Sequence, residues 1–407
     1  MAIKLLGSNT GSLTLDVPAS VTGNIDFKFP ANTGSGNQLL MTDGSGNLSF
    51  QTVQGVVKNF VDNGEMMINQ RGETSYTLSN PGVGGVMIDR WRAYYNSAVD
   101  YTFTQDTDAP DGFKYSQKIE MTAANYTPPS YQYGTLYQGI EGQQALELGW
   151  HTSSPKNATL SFYVKASIAG TWVVTLTDSG GGGSTRYVAE YTINAADTWE
   201  RKVINIPAPT IGTFRDDNFY TIAIHFDLGA GTMWHSPSPN QWAGNQSSHQ
   251  STSNAVNMSN NLNSTFKVTG VQLEVGDSAS PYVHQTPHDY LIRCQRYYKR
   301  LFVQPDSSSS QVLTGDEGSS LQWKFFDLRA DLMRANPSIS LVNNTDIEVS
   351  NGNGTWGSSG GFSSNTQGTY PNVQAYVYKS GNSSTGVCKR VRKTTSGHVL
   401  MEVSAEL

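Results

Sequence analysis

Apolar side chains recur at every second position along most of this chain, and between Asn59 and Tyr282 no amphipathic helical segment separates one such run from the next. That pattern restricts the fold severely. Parallel strands need long crossover connections, usually helical, whereas antiparallel strands close with short turns and can leave one face in water. Ala158, Leu160, Phe162, Val164 and Ala166 alternate with Thr159, Ser161, Tyr163 and Lys165, which gives one buried and one wet face. Trp172, Val174 and Leu176 repeat the pattern after a turn at Ala169-Gly170, and Tyr220, Ile222, Ile224 and Phe226 form another such strand. Gly180 to Gly183 and Pro207 to Pro209 mark connections.

The fold class read from this is all-β. Two packed antiparallel sheets, a jelly-roll-like sandwich over residues 57–285, are the economical arrangement. One strand changes phase: Phe266 and Val268 have one parity, Val271, Leu273 and Val275 the other. An extra residue around Thr269-Gly270, a β-bulge, keeps both sets on the core face. A linking helix over 286–300 follows, with Thr286 as N-cap, Pro287 at the first helical position and Asp289 closing a capping box. Leu291, Cys294 and Tyr298 then fall on one helical stripe, so Cys294 reads as a small buried hydrophobe. From residue 301 to 407 alternation returns at Trp323 and Phe325, Ile339 and Leu341, Val373 to Val377, and Val399 to Val403, a smaller C-terminal β domain with large Ser/Gly/Asn loops.

Residues 1–56 form an N-terminal β arm. The pentads GSLTL at Gly11 and GNLSF at Gly46 are short alternating strands fed by small-residue turns. Strands this short bury too little to offset the entropy of ordering themselves, so packing between identical chains is expected.

Composition narrows the function. Lys+Arg 27 against Asp+Glu 33 gives a net charge of -6, without the basic excess that nucleic-acid binding uses. No apolar run reaches the roughly 18 residues of a membrane span, and the N-terminus has no secretory apolar stretch. The two cysteines, Cys294 and Cys388, make no disulfide scaffold. Catalytic motifs are lacking: there is no HExxH, no P-loop and no dinucleotide fingerprint. Gly357-Ser358-Ser359-Gly360-Gly361 matches GxSxG without the strand-to-helix elbow that the chemistry requires. His284 and His288 have ligand spacing, but Pro287 between them marks a helix start. Asp106, Asp108 and Asp111 cluster in a turn and make a weak calcium candidate whose spacing does not fit an EF-hand. Neither an enzyme nor a cofactor-binding protein is expected.

The aromatic residues carry the functional signal. Neutral sugars are held by flat rings against their apolar faces and by polar side chains at their hydroxyls. The segment from Met233 to Trp242 is a loop stiffened by Pro237 and Pro239, in which Trp234, His235, Asn240, Gln241 and Trp242 are the glycan-binding candidates. Folding back of one or both indoles to plug the end of the sandwich is the alternative. Tyr131 and Tyr133, in a cluster with Tyr126 and Tyr137, are further candidates, as are Trp356, Phe362 and Tyr370 in the last domain.

Several ordered segments carry a family resemblance. Asn59-Phe60-Val61-Asp62-Asn63-Gly64-Glu65-Met66-Met67-Ile68-Asn69-Gln70-Arg71-Gly72 and Asp89-Arg90-Trp91 resemble the start of a domain that recurs in tailed-bacteriophage tail fibre proteins. Val271-Gln272-Leu273-Glu274-Val275-Gly276, Ser280-Pro281-Tyr282, Arg293-Cys294-Gln295-Arg296-Tyr297-Tyr298 and Leu332-Met333-Arg334-Ala335-Asn336-Pro337 resemble its continuation. Leu40 to Phe50 is similar to shaft-type modules of the same class. The resemblance implies a receptor-binding fibre or related tail appendage on the virion, assembled in the host cytoplasm and typically homotrimeric, with a carbohydrate-binding-like sandwich. Its partners would be other virion tail proteins, met through the N-terminal arm, and host cell-surface polysaccharide or lipopolysaccharide, with no nucleic acid and no membrane insertion. Two alternatives are a purely structural virion component (fibre base or surface decoration) and a stand-alone carbohydrate-binding module. A polysaccharide-degrading tailspike fits least, because regular short solenoid repeats are missing.

Overall fold

The computed structural model describes residues 57–78, 85–95, 100–122, 127–178, 185–244 and 249–303 of the central part of the chain. Towards the N-terminus it describes 3–6, 12–15, 28–31, 38–42, 45 and 47–52; towards the C-terminus 313–317, 323–324, 333–335, 338–342, 347–350, 356–358, 362–367, 374–379, 389–393 and 399–405. Contacts divide the chain into two units, Met1–Val57 and Lys58–Leu407.

In the first unit Ile3–Leu6 pairs antiparallel with Ser12–Leu15, and Gln38–Thr42 with Leu48–Thr52. Ser12–Leu15 and residues 48–50 of the two pentads thus lie on strands. Phe29, Leu40 and Met41 are exposed.

The second unit is built on two large antiparallel sheets. The seven-stranded sheet runs in the order Trp242–Ala243, Arg186–Ile193, Gly170–Asp178, Tyr220–Ala230, Tyr133–Glu141, Arg92–Tyr95, Gly85–Val86. The six-stranded sheet runs Glu200–Ile206, Ala158–Ala166, Thr265–Val275, Ser116–Met121, Tyr101–Asp106, Ser75–Leu78. The expected alternation lines the core between them: Leu160, Phe162 and Val164 from one sheet meet Val174, Leu176, Ile224 and Phe226 from the other. Phe162 stands edge-on to Phe226 and Tyr191 at 5.0 and 5.1 Å, joining the two layers.

The bulge lies where the phase change requires it. Ser161 faces Gln272 and Tyr163 faces Thr269, leaving Gly270 and Val271 opposite Phe162. Phe266, Val268, Val271 and Leu273 consequently all reach the core. Gly270 takes φ +61°, in the left-handed region that a side chain disfavours.

Segments around residues 59–64, Arg90, residues 271–283 and residues 293–297 form one polar lock at the end of the sandwich. The segment from Asn59 is hydrogen-bonded along strand Thr265–Val275, through Asn59 Nδ2 to the Val271 carbonyl at 3.0 Å and the Phe60 amide to the Leu273 carbonyl at 3.0 Å. Gly64 permits this approach, since a Cβ there would stand 2.2 Å from the Val271 oxygen. Buried Asp62 takes the Arg90 Nε at 3.2 Å and lies 2.7 Å from the Arg293 Nε. The Arg90 guanidinium lies 3.3 Å over the Tyr297 ring. Glu274 accepts from the amide and hydroxyl of Ser280, and Gln272 from the amide of Val283, so the VQLE segment fixes the approach to the helix.

The α-helix spans Pro287–Gln295, with Thr286 Oγ1 accepting from the Asp289 amide as the sequence indicates. It is shorter than the expected 286–300. Tyr298 opens strand Tyr298–Val303, because Tyr297, Tyr298, Phe302 and Val303 favour extended backbone. The buried helical stripe is therefore Tyr290 and Cys294, with the Tyr290 hydroxyl donating to Glu65 at 2.7 Å. Strand Tyr298–Val303 pairs with Val399–Ser404, which also pairs with Ser338–Val342. The remaining C-terminal strands form a five-stranded sheet and the hairpin Phe362–Gln367 with Gln374–Lys379. Among the described residues no helix is long and apolar enough to cross a membrane.

Candidate functional site

The outer face of the seven-stranded sheet collects aromatic and polar side chains. In Tyr133–Glu141 the inward positions are Leu136, Gln138 and Ile140, so Tyr133, Thr135 and Tyr137 face outward. By the same parity Arg92 and Tyr94 face out from Arg92–Tyr95, Thr175 and Thr177 from Gly170–Asp178, and His225 from Tyr220–Ala230. Strand register aligns Arg92, Tyr137, His225, Thr175 and Val188 in one row across five strands. Tyr137 stacks on His225 with centroids 5.1 Å apart and planes at 16°. One step along the sheet Tyr94 packs on Tyr133 at 5.2 Å, and Tyr133 on Trp234 at 3.9 Å.

A strap, residues 249–252, crosses this face. Its His249 carbonyl accepts from Arg186 Nη1 at 3.1 Å and its Gln250 carbonyl from Thr175 Oγ1 at 3.0 Å. Ser251 Oγ donates to Asp227 Oδ2 at 2.6 Å, and Thr252 Oγ1 to Glu190 Oε1 at 2.6 Å. The Gln250 and Ser251 amides both donate to the Trp234 carbonyl at 2.9 Å, tying the strap to the loop that presents the indole.

Burial and one cation set the electrostatics. Burial pushes the Tyr133 hydroxyl far above its usual pKa, with Tyr94 adding to the effect. Arg186 is held down to about 10 by burial. His225 is driven down to about 3 by burial and by the field of Arg186, and His249 is lowered by the same two causes. His225 is thus a neutral imidazole. Trp234 Nε1, His225 Nδ1, His249 Nδ1 and Gln250 Oε1 are enclosed and have no hydrogen-bond partner among the described residues. Enclosed polar groups are ordinarily paired, so this set offers fixed donors and acceptors beside flat rings. Such an arrangement suits a polyhydroxylated ligand.

The structure separates the two indoles of the 233–242 loop. Trp234 lies on Tyr133 at the outer face. Trp242 lies against Trp150, Tyr187 and Phe214 at 5.4, 5.5 and 5.8 Å and donates its Nε1 to the Pro207 carbonyl at 2.7 Å, closing an edge of the core. His235 stands at 3.4 Å from the Ala230 carbonyl, Asn240 accepts from the Glu190 amide at 3.3 Å, and Gln241 is exposed. Tyr131 and Met233 are each 57% exposed, and the Met233 amide donates to the Ser130 carbonyl at 2.9 Å. Trp356 and Phe362 open the strands Trp356–Ser358 and Phe362–Gln367, and Tyr370 and Tyr126 lie outside the described residues.

In the acidic turn, lysines and an indole take up Asp106 and Asp108. Lys118, Lys267 and Lys165 are aligned across three adjacent strands, and such a row of like charges needs counter-ions. Asp108 takes Lys267 at 2.6 Å, Lys165 at 3.0 Å and the Trp199 indole at 3.0 Å, and Asp106 takes Lys267 at 2.8 Å. Burial opposes ionisation of Asp108, but these donors hold its carboxyl well below the usual range. Among the described residues no three His, Cys, Asp or Glu side chains converge as a metal site. His284 is taken up by Glu65 at 2.9 Å.

Sequence reading alone missed Tyr94, His225, Arg186, His249 and Gln250. For His225 the signal was available in its parity opposite Ile224 and Phe226. Tyr94 and Tyr95 are adjacent tyrosines, so their residue type does not say which faces out. The strap residues carry no periodic signal.

No protein-family model matches the chain, and no curated protein matches it. Among solved structures it is similar to the enzymatically active domain of tailspike protein 4 from bacteriophage CBA120, at 12% identity and a TM-score of 0.29 over 54% of this chain, which spans only 21% of that one. It is similar to the family 11 carbohydrate-binding module of the Clostridium thermocellum cellulosomal cellulase Lic26A-Cel5E, at 15% identity and a TM-score of 0.27, over 51% of this chain and 98% of that module. The module TmCBM61, solved with β-1,4-galactotriose, aligns at 12% identity and a TM-score of 0.26 over 54% of this chain and 99% of its own.

Proposed function

We propose that this chain is a non-enzymatic glycan-binding component of a tailed-bacteriophage tail fibre or tail appendage, and that it holds host-surface polysaccharide or lipopolysaccharide on the outer face of its seven-stranded sheet. One juxtaposition carries the glycan reading: the Tyr94–Tyr133–Trp234 ring cluster beside enclosed polar atoms of Trp234, His225, His249 and Gln250 that lack partners. Rings take the apolar faces of sugars, while the indole N–H, the amide oxygen and the neutral imidazoles take hydroxyls once the strap that encloses them lifts. The virion reading is supported by the ordered set of fibre-like segments from Asn59 to Pro337. Exposed Phe29, Leu40 and Met41 suit packing of the N-terminal arm between copies, with a trimer the expected assembly and other tail proteins its further partners. Three weak sites in one assembly would gain affinity through multivalency.

A stand-alone carbohydrate-binding module is the second reading, favoured because the face is formed within a single chain. A polysaccharide microarray probed with the purified full chain tests binding, with Tyr133→Ala as control. Binding by the parent and its loss in the variant are expected; a parent that binds no polysaccharide, or a folded variant that binds equally, ends the glycan reading. Light scattering on the same sample separates the two contexts, since a trimer is expected of a fibre and a monomer across micromolar concentrations of a free module.

A further inference from the structure

We infer that the strap at residues 249–252 is a proton-controlled closure of the outer face, pinned through Asp227 and released when that carboxyl ionises. Asp227 is buried, and among the described residues it meets no cation: its acceptor contacts are Ser251 Oγ at 2.6 Å and the Gly229 amide at 3.0 Å. A buried carboxylate with two neutral donors and no ion pair carries a large desolvation cost, which water relieves once the covering segment lifts. The segment covering it is the strap, through Ser251.

The titratable groups beside Asp227 and the strap include His235, which bridges Ser251. Tyr101 and Tyr191, which feel the charge of Asp227, are held far above neutrality by burial and stay uncharged. On its own strand His225 is neutral, and Thr135, opposite Asp227 in register, does not titrate. On the strap His249 has its pKa lowered, and Arg186 donates to the His249 carbonyl. Glu190, two strands away on Arg186–Ile193, is engaged by Thr252 and Asn254. Burial raises the Asp227 pKa to about 7, partly offset by its two hydrogen bonds.

The sign follows from linkage. With the strap closed the carboxyl holds its proton to near neutrality; with the strap open it returns towards the ordinary value of about 3.9. Between those two values each pH unit shifts the balance towards opening by up to about tenfold, and above the closed value the effect levels off. The strap is therefore tightest in acid and loosest at and above neutrality. Its release also frees the backbone of Trp234, so proton uptake would regulate the same face that the glycan reading assigns to ligand. The inference rests on that reading only for what the strap covers.

Hydrogen exchange of the full chain, without any glycan, tests it separately from the microarray. The Gln250 and Ser251 amides, both bonded to the Trp234 carbonyl, are followed at pH 5 and pH 7 after correction for intrinsic exchange. Protection is expected to fall by about tenfold or more between the two pH values in the parent, and to be the same at both in Asp227→Asn. Ser251→Ala, which keeps the carboxyl and removes the pin, should show weak protection already at pH 5. Equal protection of the parent at both pH values, a pH response that persists in Asp227→Asn, or full protection of Ser251→Ala at pH 5 would each overturn the proposal.

Discussion

Arg296, just past the helix, sets its Nε and Nη2 at 2.9 and 2.8 Å from the two carboxylate oxygens of Glu141, at the end of a sandwich strand. Glu141 is fully buried and Arg296 partly exposed. This bidentate pair joins the helical linker to the sheet, and its two halves are not equivalent. Arg296→Met strands a carboxylate in the interior and should cost about 3 kcal/mol, while Arg296→Met with Glu141→Leu should recover most of that loss. Urea denaturation of both variants measures the difference. An unchanged midpoint for the single variant would show that the carboxylate finds another partner or water.

Gly270 is the residue on which the strand bulge turns. A Cβ added there would stand 2.8 Å from Phe113 Cζ and 3.0 Å from Tyr163 Cδ2, on a backbone already at φ +61°. Gly270→Ala should therefore destabilise by about 1–3 kcal/mol, through strain and displacement of the Phe113 ring. Thermal unfolding checks it, and a stability equal to the parent would mean that the ring swings aside without loss.

Thiol chemistry gives a third test. Cys294 is buried on the helical stripe, so it should react with a thiol reagent only on unfolding. Cys388 lies outside the described residues, and its neighbours Lys389 and Arg390 favour the thiolate. Titration should find one fast thiol in the native protein and two in denaturant. Two fast thiols would show that the helix opens readily.

The fold was legible wherever burial imposed a period. Phe162 and its alternating neighbours, the change of parity at Gly270 and the Thr286 cap each encode a local rule with one solution. The polar lock was visible as a family resemblance, but not as a structure: nothing in the spacing of Asp62, Arg90 and Arg293 reveals that the three meet. The helix end was not legible, because Tyr297 and Tyr298 satisfy a helical stripe and a strand equally well on sequence. The outer face was half legible. Tyr133 and Tyr137 share a parity, whereas the strap on the same face is aperiodic and is placed by hydrogen bonds between segments far apart in sequence.

The two indoles of the 233–242 loop have different surroundings, and that contrast yields the most discriminating mutational test. Trp242 closes an edge of the core among Trp150, Tyr187 and Phe214, so Trp242→Ala opens a gap and leaves the Pro207 carbonyl without its donor. It should lower stability by about 2–3 kcal/mol, less than a fully buried tryptophan, because the ring is half-buried. Trp234 rests on Tyr133, and its enclosed Nε1 has no partner among the described residues, so its removal takes little from the core. Trp234→Ala should keep the parent's unfolding midpoint to within about 1 kcal/mol while weakening polysaccharide binding at least about tenfold, some 1.4 kcal/mol of affinity. Trp356, in a C-terminal strand, is the rival site and serves as the comparison. Binding lost only in Trp356→Ala would move recognition to the C-terminal strands. If all three folded variants bind as the parent does, recognition through these indoles is refuted.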